Sequence, residues 1–392
     1  MKSLRVRNLG PVKEAAVEFG DLTVLVGPQA TGKSVFLQLL KLLLDVGPIR
    51  NEFKRFNLDW GGSLDNFLEL YFGEGMSGIY DSARTQIESN GEDVALKQII
   101  GPGRRGTKEE LFFIPAQRVL SLREGLTRPF TDYRTGDPFV VREFSEKLHY
   151  LVQSEFARSA ALFPQVKRLK SEYRDLLSEN IFGGFGLKTD AEKFQKRIVL
   201  TNPKSGASLP YLVWSAGQRE FVPLLLGLYW LMPSTRVKLR GSLRWVVIEE
   251  LEMGLHPNAI SVVMLLVLEL LHRGYKVCVS THSPHVLDVV WALQVMKRNQ
   301  GNEEDVRDLF KLHANEPTKA LAKNVLKKDY RVFFFKRDGT SVDISDLDPG
   351  ADEAAEAGWG GLAEFSGDVG DIVARVVARA EEHKSAEPEA RR

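Results

Sequence analysis

A single cysteine, Cys278, stands in the 392 residues, so no internal disulfide can form. Its setting in the apolar run YKVCVST marks it as a small core residue of a chain kept in a reducing compartment. Neither sign of charge dominates. Lysine and arginine total 53 against 52 aspartates and glutamates, and the net +1 excludes a global pull toward nucleic acid or anionic lipid. Long hydrophobic runs are missing as well. The most apolar stretches are VFLQLLKLLLDV (35–46), FVPLLLGLYWLM (221–232) and ISVVMLLVLELL (260–271). Each falls well short of the roughly 20 residues that span a bilayer, and each reads as a buried helix. The N-terminal MKSLRVRNLG has no apolar signal region, and its Leu4/Val6 alternation against Arg5/Arg7 predicts a strand. The expectation is a cytoplasmic protein with no membrane association.

What is present describes a globular chain with a sizeable core, 43% hydrophobic and 27% charged, long enough for one large domain or two ordinary ones. EAAVEF (14–19) and LTVLV (22–26) are short β-rich runs, and a Gly-rich loop and an apolar helix follow. Residues 47–110 read as irregular, with GPGRRGTK (101–108) as an exposed basic loop. LFFIPAQR (111–118) reads as a strand leaving the core. A helical charge pattern covers 140–180, divided by Pro164 and without the sustained heptads of a long coiled coil. Residues 195–214 return to strand character. From there to about residue 295 the order is helix, strand, helix, strand, helix, the rhythm of a parallel sheet with covered faces. RVFFFKRDGTSVDISDL predicts a hairpin turning at Asp338 and Gly339, and EEHKSAEPEARR (381–392) predicts a disordered tail.

GPQATGKS (27–34) fits the pattern G-x-x-x-x-G-K-[ST], follows an apolar strand and opens a helix. Gly27 and Gly32 let backbone N–H groups curl around phosphate oxygens, and the helix N-terminus adds partial positive charge. Lys33 can reach β- and γ-phosphates, and Ser34 offers a hydroxyl to Mg²⁺. The whole loop, Gly27, Pro28, Gln29, Ala30, Thr31, Gly32, Lys33 and Ser34, is the expected ATP-binding segment.

RWVVIEELEMGLHP (244–257) places Glu249 and Glu250 side by side at the end of an apolar strand. Burying either one unpaired costs several kcal/mol. Beside a phosphate loop the pair has a use: Glu249 positions Mg²⁺, and Glu250 polarises the attacking water as general base.

Three further segments fall in a fixed order. SAGQRE (215–220) precedes a long apolar helix, EELEMGLHP (249–257) ends one strand, and STHSPHVLD (280–288) ends the next. With GPQATGKS and the glutamine of FFIPAQR, the chain resembles the ABC-type ATPases, in the soluble branch of structural-maintenance-of-chromosomes (SMC), RecF and OLD (overcoming lysogenization defect) proteins. EE-x-E-x-x-LHP and STHSP are in the style of the OLD-like ATPases of bacterial anti-phage defence. The resemblance implies an α/β fold of the ABC-ATPase P-loop type. It has a mixed, largely parallel core sheet, an antiparallel N-terminal β region and an inserted helical subdomain without a long coiled coil. The expected organisation is an N-terminal ATPase lobe (1–118), a helical insertion (119–194), a C-terminal lobe (195–300) and a C-terminal accessory region (301–392).

The resemblance also implies roles. Gln117 is the loop glutamine that senses Mg²⁺ and γ-phosphate. Ser215, Gly217 and Gln218 form the signature segment that contacts nucleotide bound to the opposite subunit. Glu252 to His256 lie at the dimer seam, and His282 is the switch histidine on the γ-phosphate. His256 reads as structural and His285 as a helix N-terminal residue. Some positions depart from the family pattern. Gln29 and Ala30 replace an asparagine and a glycine, Ala216 a glycine, Glu249 an aspartate and Leu251 a proline, which implies slow turnover. The expected activity is ATP hydrolysis with Mg²⁺, in a homodimer or higher oligomer that controls a separately encoded effector, a nuclease or toxin, in anti-phage defence. The alternative is a RecF/SMC-like DNA-repair or chromosome ATPase, with phosphate contacts from 104–108, 118–128 and 167–170.

Overall fold

Strands in which every residue is apolar or buried form the centre of the molecule. The computed structural model describes residues 1–101, 106–157, 159–192, 195–234, 236–362, 369 and 372–378. The expected disordered tail (381–392) and the middle of the basic loop (102–105) lie outside the described residues. All five residues of Leu22–Val26 are buried, as are all five of Trp245–Glu249. A strand with no solvent face belongs inside a parallel sheet covered on both sides. Leu22–Val26 pairs in parallel with Lys276–Thr281 on one edge and with Tyr330–Phe335 on the other. Trp245–Glu249 and Leu111–Ile114 extend the sheet in parallel, and Ser341–Asp343 closes the far edge antiparallel.

Alternate residues of these strands feed two separate cores, as the two-residue period requires. Val24, Val26, Val246, Ile248, Val277 and Val279 face one core, shared with the helices Ala216–Leu231, Pro257–Arg273 and Pro284–Arg298. Leu25, Val247 and Cys278 face the other, shared with the helix Lys33–Arg55 and an antiparallel N-terminal sheet. That sheet runs in the order Val12–Glu18, Ser3–Leu9, Gln86–Ser89, Glu92–Asp93. Leu4, Val6 and Leu9 point inward while Arg7 stays outside, paired with Glu14. This is the mixed α/β architecture expected from the sequence, and no long coiled coil is present among the described residues. Nor, among them, is any helix long and apolar enough to cross a membrane.

Four local expectations need correction. The helix after the phosphate loop does not stop near residue 46; it kinks at Asp45 and runs to Arg55 through Pro48. Proline removes a helical donor and crowds the preceding turn, so the kink just before it has a direct cause. Residues 47–110 are not irregular throughout, since Leu64–Phe72 is a helix capped by Ser63. The inserted region is not purely helical. Beside helices Phe139–Tyr150 and Ser171–Leu177 it contributes Ala161–Phe163 and Gly186–Glu192 to an antiparallel sheet with Gln195–Thr201 and Ser208–Leu209. Finally, the region past residue 300 does not stand apart. Its Asp338–Gly339 hairpin forms as expected, but the first strand of that hairpin lies in the core sheet beside Leu22–Val26.

The kink at Asp45 is also an electrostatic joint. Lys41 is fully buried, and its Nζ donates to Asp45 Oδ2 at 2.9 Å, Glu109 Oε1 at 2.9 Å and the Leu111 carbonyl at 2.7 Å, with Glu143 Oε2 at 3.1 Å. Asp45 in turn accepts from the Glu110 and Leu111 amides at 2.8 and 3.0 Å, which fixes the start of the Leu111–Ile114 strand. Burial alone would depress the Lys41 ammonium, but the Asp45, Glu109 and Glu143 carboxylates outweigh it and hold its pKa well above the ordinary lysine value. Lys41→Ala leaves these carboxylates without their shared cation. It is expected to cost about 3–5 kcal/mol in urea unfolding, and a loss below about 1 kcal/mol contradicts this reading.

Candidate functional site

The phosphate loop leaves the carboxyl end of Leu22–Val26 and enters the helix at Lys33, with Gly32 as the residue before the first turn. Gly27 has φ of 138°, and a Cβ there would lie 2.3 Å from the Phe335 carbonyl oxygen, so the hairpin strand backs the loop and only glycine fits. Ala30 takes φ of 63°, the left-handed region, which confirms that alanine is a strained choice there. Lys33 is 7% exposed and folds back onto its own loop. Its Nζ donates to the Gly27 and Pro28 carbonyls, each at 2.7 Å. Thr31 also donates to the Pro28 carbonyl, at 2.9 Å. Burial is the main reason the Lys33 pKa falls to about 8; Glu250, Glu252 and Glu249 pull the other way. Without a phosphate the lysine is held by neutral carbonyls, which compensate a charge poorly. Gln29, Ala30 and Ser34 are exposed along the same loop.

Two strands away, the acid pair divides. Glu249 is 2% exposed, and its Oε2 accepts from the Ala116 amide at 3.1 Å. Its Oε1 is buried with no hydrogen-bond partner. Burial raises the Glu249 pKa, against which the nearby Ser34 hydroxyl and the Ala116 amide act. Glu250 turns away at φ of 44°, its amide donating to the Ser280 carbonyl at 2.9 Å. Its Oε1 lies 3.8 Å from His282 Nε2, with both side chains partly open to solvent. Burial lowers the His282 pKa and Lys33 adds to this, while Glu250 opposes.

An orphaned, buried carboxylate oxygen facing an exposed hydroxyl fits a hard cation. Among the described residues no group of three or more His, Cys, Asp or Glu is gathered to hold a metal alone. Magnesium with most of its ligands from phosphate and water is compatible with that set. Glu249 and Ser34 are the residues that would hold it; Gln117, exposed and next in sequence to Ala116, whose amide bonds Glu249, lies in the same turn.

Ser215 caps the signature helix Ala216–Leu231. Its Oγ accepts from the Gln218 amide at 3.2 Å, and Gln218 Oε1 accepts from the Ser215 amide at 3.0 Å. Gly217 has a second reason to be glycine: a Cβ there would meet the Gly254 carbonyl oxygen at 2.8 Å. The signature segment therefore packs on the turn after the acid strand. Structure assigns His256 as the cap of the helix Pro257–Arg273, its Nδ1 accepting from the Asn258 amide at 3.3 Å. His285 lies at the start of its helix, 3.3 Å from Asp288.

Three residues were not given these roles by the sequence. Glu252 Oε1 accepts from the His282 amide at 2.5 Å and so fixes the histidine's backbone. Glu220, on the signature helix, has a buried Oε2 without a partner. Arg118 heads one of the basic segments offered for DNA contact, yet it is 1% exposed and bonded to the backbone of both acids. A charged residue within LFFIPAQRVL was the available signal. Lys170 is also removed from the free basic surface, since its Nζ donates to the buried Glu269 Oε2 at 2.7 Å.

Strand order, loop and acids form the arrangement of a P-loop nucleotide site. The family model "AAA domain, putative AbiEii toxin, Type IV TA system" matches residues 121–288, and "AAA ATPase domain" matches residues 1–97. No curated protein is significantly similar. Similar solved structures include an SMC head bound to the C-winged helix domain of ScpA, with 12% identity, 73% of this chain and 90% of that one covered, and a TM-score of 0.41. The SMC head domain from Thermotoga maritima has 14% identity, the same coverages and a TM-score of 0.31. The recombination mediator RecF-ATPrS has 12% identity, 87% and 97% coverage and a TM-score of 0.36. Two AAA ATPase family models thus match the two parts of this chain that carry the phosphate loop and the acid strand.

The Lys33 value carries a pH prediction. Phosphate oxygens raise its pKa again, so binding takes up a proton above pH 8 or so, and affinity falls as pH rises through the free-protein value of about 8. ATP titrations from pH 7 to 9.5 are expected to lose up to about tenfold per unit above that point, and Lys33→Arg, which stays charged, is expected to flatten the curve. A flat wild-type curve contradicts the assignment.

Proposed function

We propose that this chain binds and hydrolyses ATP with Mg²⁺, closes head to tail as a homodimer around two nucleotides, and uses closure to control a separate effector protein in bacterial anti-phage defence. The observation that carries the reading is the convergence at the strand ends. Lys33, Glu249, Glu250 and His282 stand at or just past the carboxyl ends of three neighbouring parallel strands. Lys33 exchanges loop carbonyls for β- and γ-phosphate oxygens. Glu250, with a partly open carboxylate, accepts the proton of the attacking water, and His282 beside it bonds the γ-phosphate. Gln117 helps orient that water. Ser34 and Glu249 would hold a magnesium ion, which when bound would supply charge neutralisation on the phosphates.

The signature segment adds the dimer. Ser215 is exposed at the start of a 16-residue helix, where free N–H donors and the helix dipole favour an anion. Ser215, Gly217 and Gln218 would complete the partner's site, and two-fold symmetry makes both sites at once. ADP lacks the γ-phosphate and with it the contacts that favour closure. The printed description of one family model, a putative AbiEii toxin of a toxin–antitoxin system, is in keeping with a defence role. The DNA-repair alternative has less behind it, because Arg118 is buried and Lys170 is paired with the buried Glu269.

Glu250→Gln tests the reading. Glutamine keeps the shape but cannot take a proton, so kcat is expected to fall by about 100-fold or more. ATP affinity is expected to stay within about threefold, and ATP but not ADP should hold the variant as a dimer in light scattering. Hydrolysis at the parental rate removes Glu250 as the base.

A further inference from the structure

Arg118 gives its guanidinium entirely to main-chain oxygens. Nη1 donates to the Glu249 carbonyl at 2.8 Å, Nη2 to the Glu250 carbonyl at 3.0 Å, and Nε to the Glu220 carbonyl at 3.2 Å. The first two acceptors end the acid strand, and the third lies in the signature helix. At 1% exposure the group has no water to replace any of them. Glu250 meanwhile holds φ of 44°, a conformation that a residue with a Cβ keeps only when its surroundings over-determine it. The Ser280 carbonyl fixes its amide, and Arg118 fixes its carbonyl.

We propose that Arg118 is a positioning residue: it sets the direction of Glu250 and ties the acid strand to the signature helix. The protomer's own general base and the segment it offers to its partner's site then move as one body. The inference rests on the function proposed above and adds a route by which closure on one nucleotide is felt at the other. Only a planar fork reaches three carbonyls in three directions; a lysine ammonium, a point charge on a flexible stem, keeps the charge and loses the fork. The Glu220 and Glu252 carboxylates near the guanidinium explain why a cation is tolerated at this depth.

The test uses Arg118→Lys and Arg118→Gln in the full chain, with thermal melts to confirm folding. Both are expected to keep ATP affinity within about threefold while kcat falls by about 100-fold, because misplacing a base by an ångström has that effect. A purely structural role would lower affinity together with kcat, so the split between the two is the readout. In the Glu250→Gln background, Arg118→Lys is expected to weaken the ATP-held dimer. If wild type hydrolyses ATP and both variants match its kcat within about twofold, the inference fails and the function stands. If kcat and affinity fall in equal proportion, Arg118 is structural only. If wild type neither hydrolyses ATP nor dimerises as Glu250→Gln, the function itself fails and takes the inference with it.

Discussion

Glu249 Oε1 is a buried acceptor with no hydrogen-bond partner among the described residues, the Ser34 hydroxyl lying close enough to act on its carboxylate, and the site is organised around that deficit. Leaving such a group unpaired costs on the order of 1–3 kcal/mol or more. The same strand end carries Glu250, with Glu252 and Glu220 close behind, so like charges crowd a small volume. The protein offsets this with cations of two kinds. Arg118 is fixed and buried, committed to the backbone beneath the acids. Lys33 is held on loop carbonyls that a triphosphate can replace. Each of the site's two unsatisfied features, an orphan acceptor and a poorly compensated ammonium, would be answered by one ligand, the metal-bound nucleotide of the proposed function.

The scaffold makes this arrangement stable. Parallel pairing places the ends of three strands side by side, and cores on both faces of the sheet leave the strands little freedom to shift. Gly27 presses on the Phe335 backbone and Gly217 on the Gly254 backbone, so loop and signature helix are each seated against a neighbour by close contact. Strain is confined to Ala30 and Glu250 among the nucleotide-facing residues, at the two positions where phosphate and water would be met.

Much of this was legible because it is local. The phosphate loop, the strand before it, the acid pair and the strand ending at His282 each declare themselves within a dozen residues. The Asp338–Gly339 turn did the same. What was not legible depends on partners distant in sequence. Nothing in RVFFFKRDG says that its strand joins the core sheet beside a strand 308 residues earlier in register, Tyr330 against Leu22. The apolar run 35–46 gives no sign of a helix beyond it, and only the cluster of Asp45, Lys41 and Glu109 shows why the helix bends there and continues. Arg118 and Lys170 looked like surface charge because their acceptors, at residues 249–250 and 269, come from other elements.

The central claim is that each ATP site is completed by a second copy of the chain, and complementation tests it most directly. Lys33→Ala removes the phosphate lysine from one site, and Ser215→Arg blocks the signature segment offered to the other. Alone, each variant should be inactive. Mixed, they should form heterodimers with one intact composite site and recover measurable ATPase activity. Heterodimers seen by native mass spectrometry that neither hydrolyse ATP nor close around it would contradict the account.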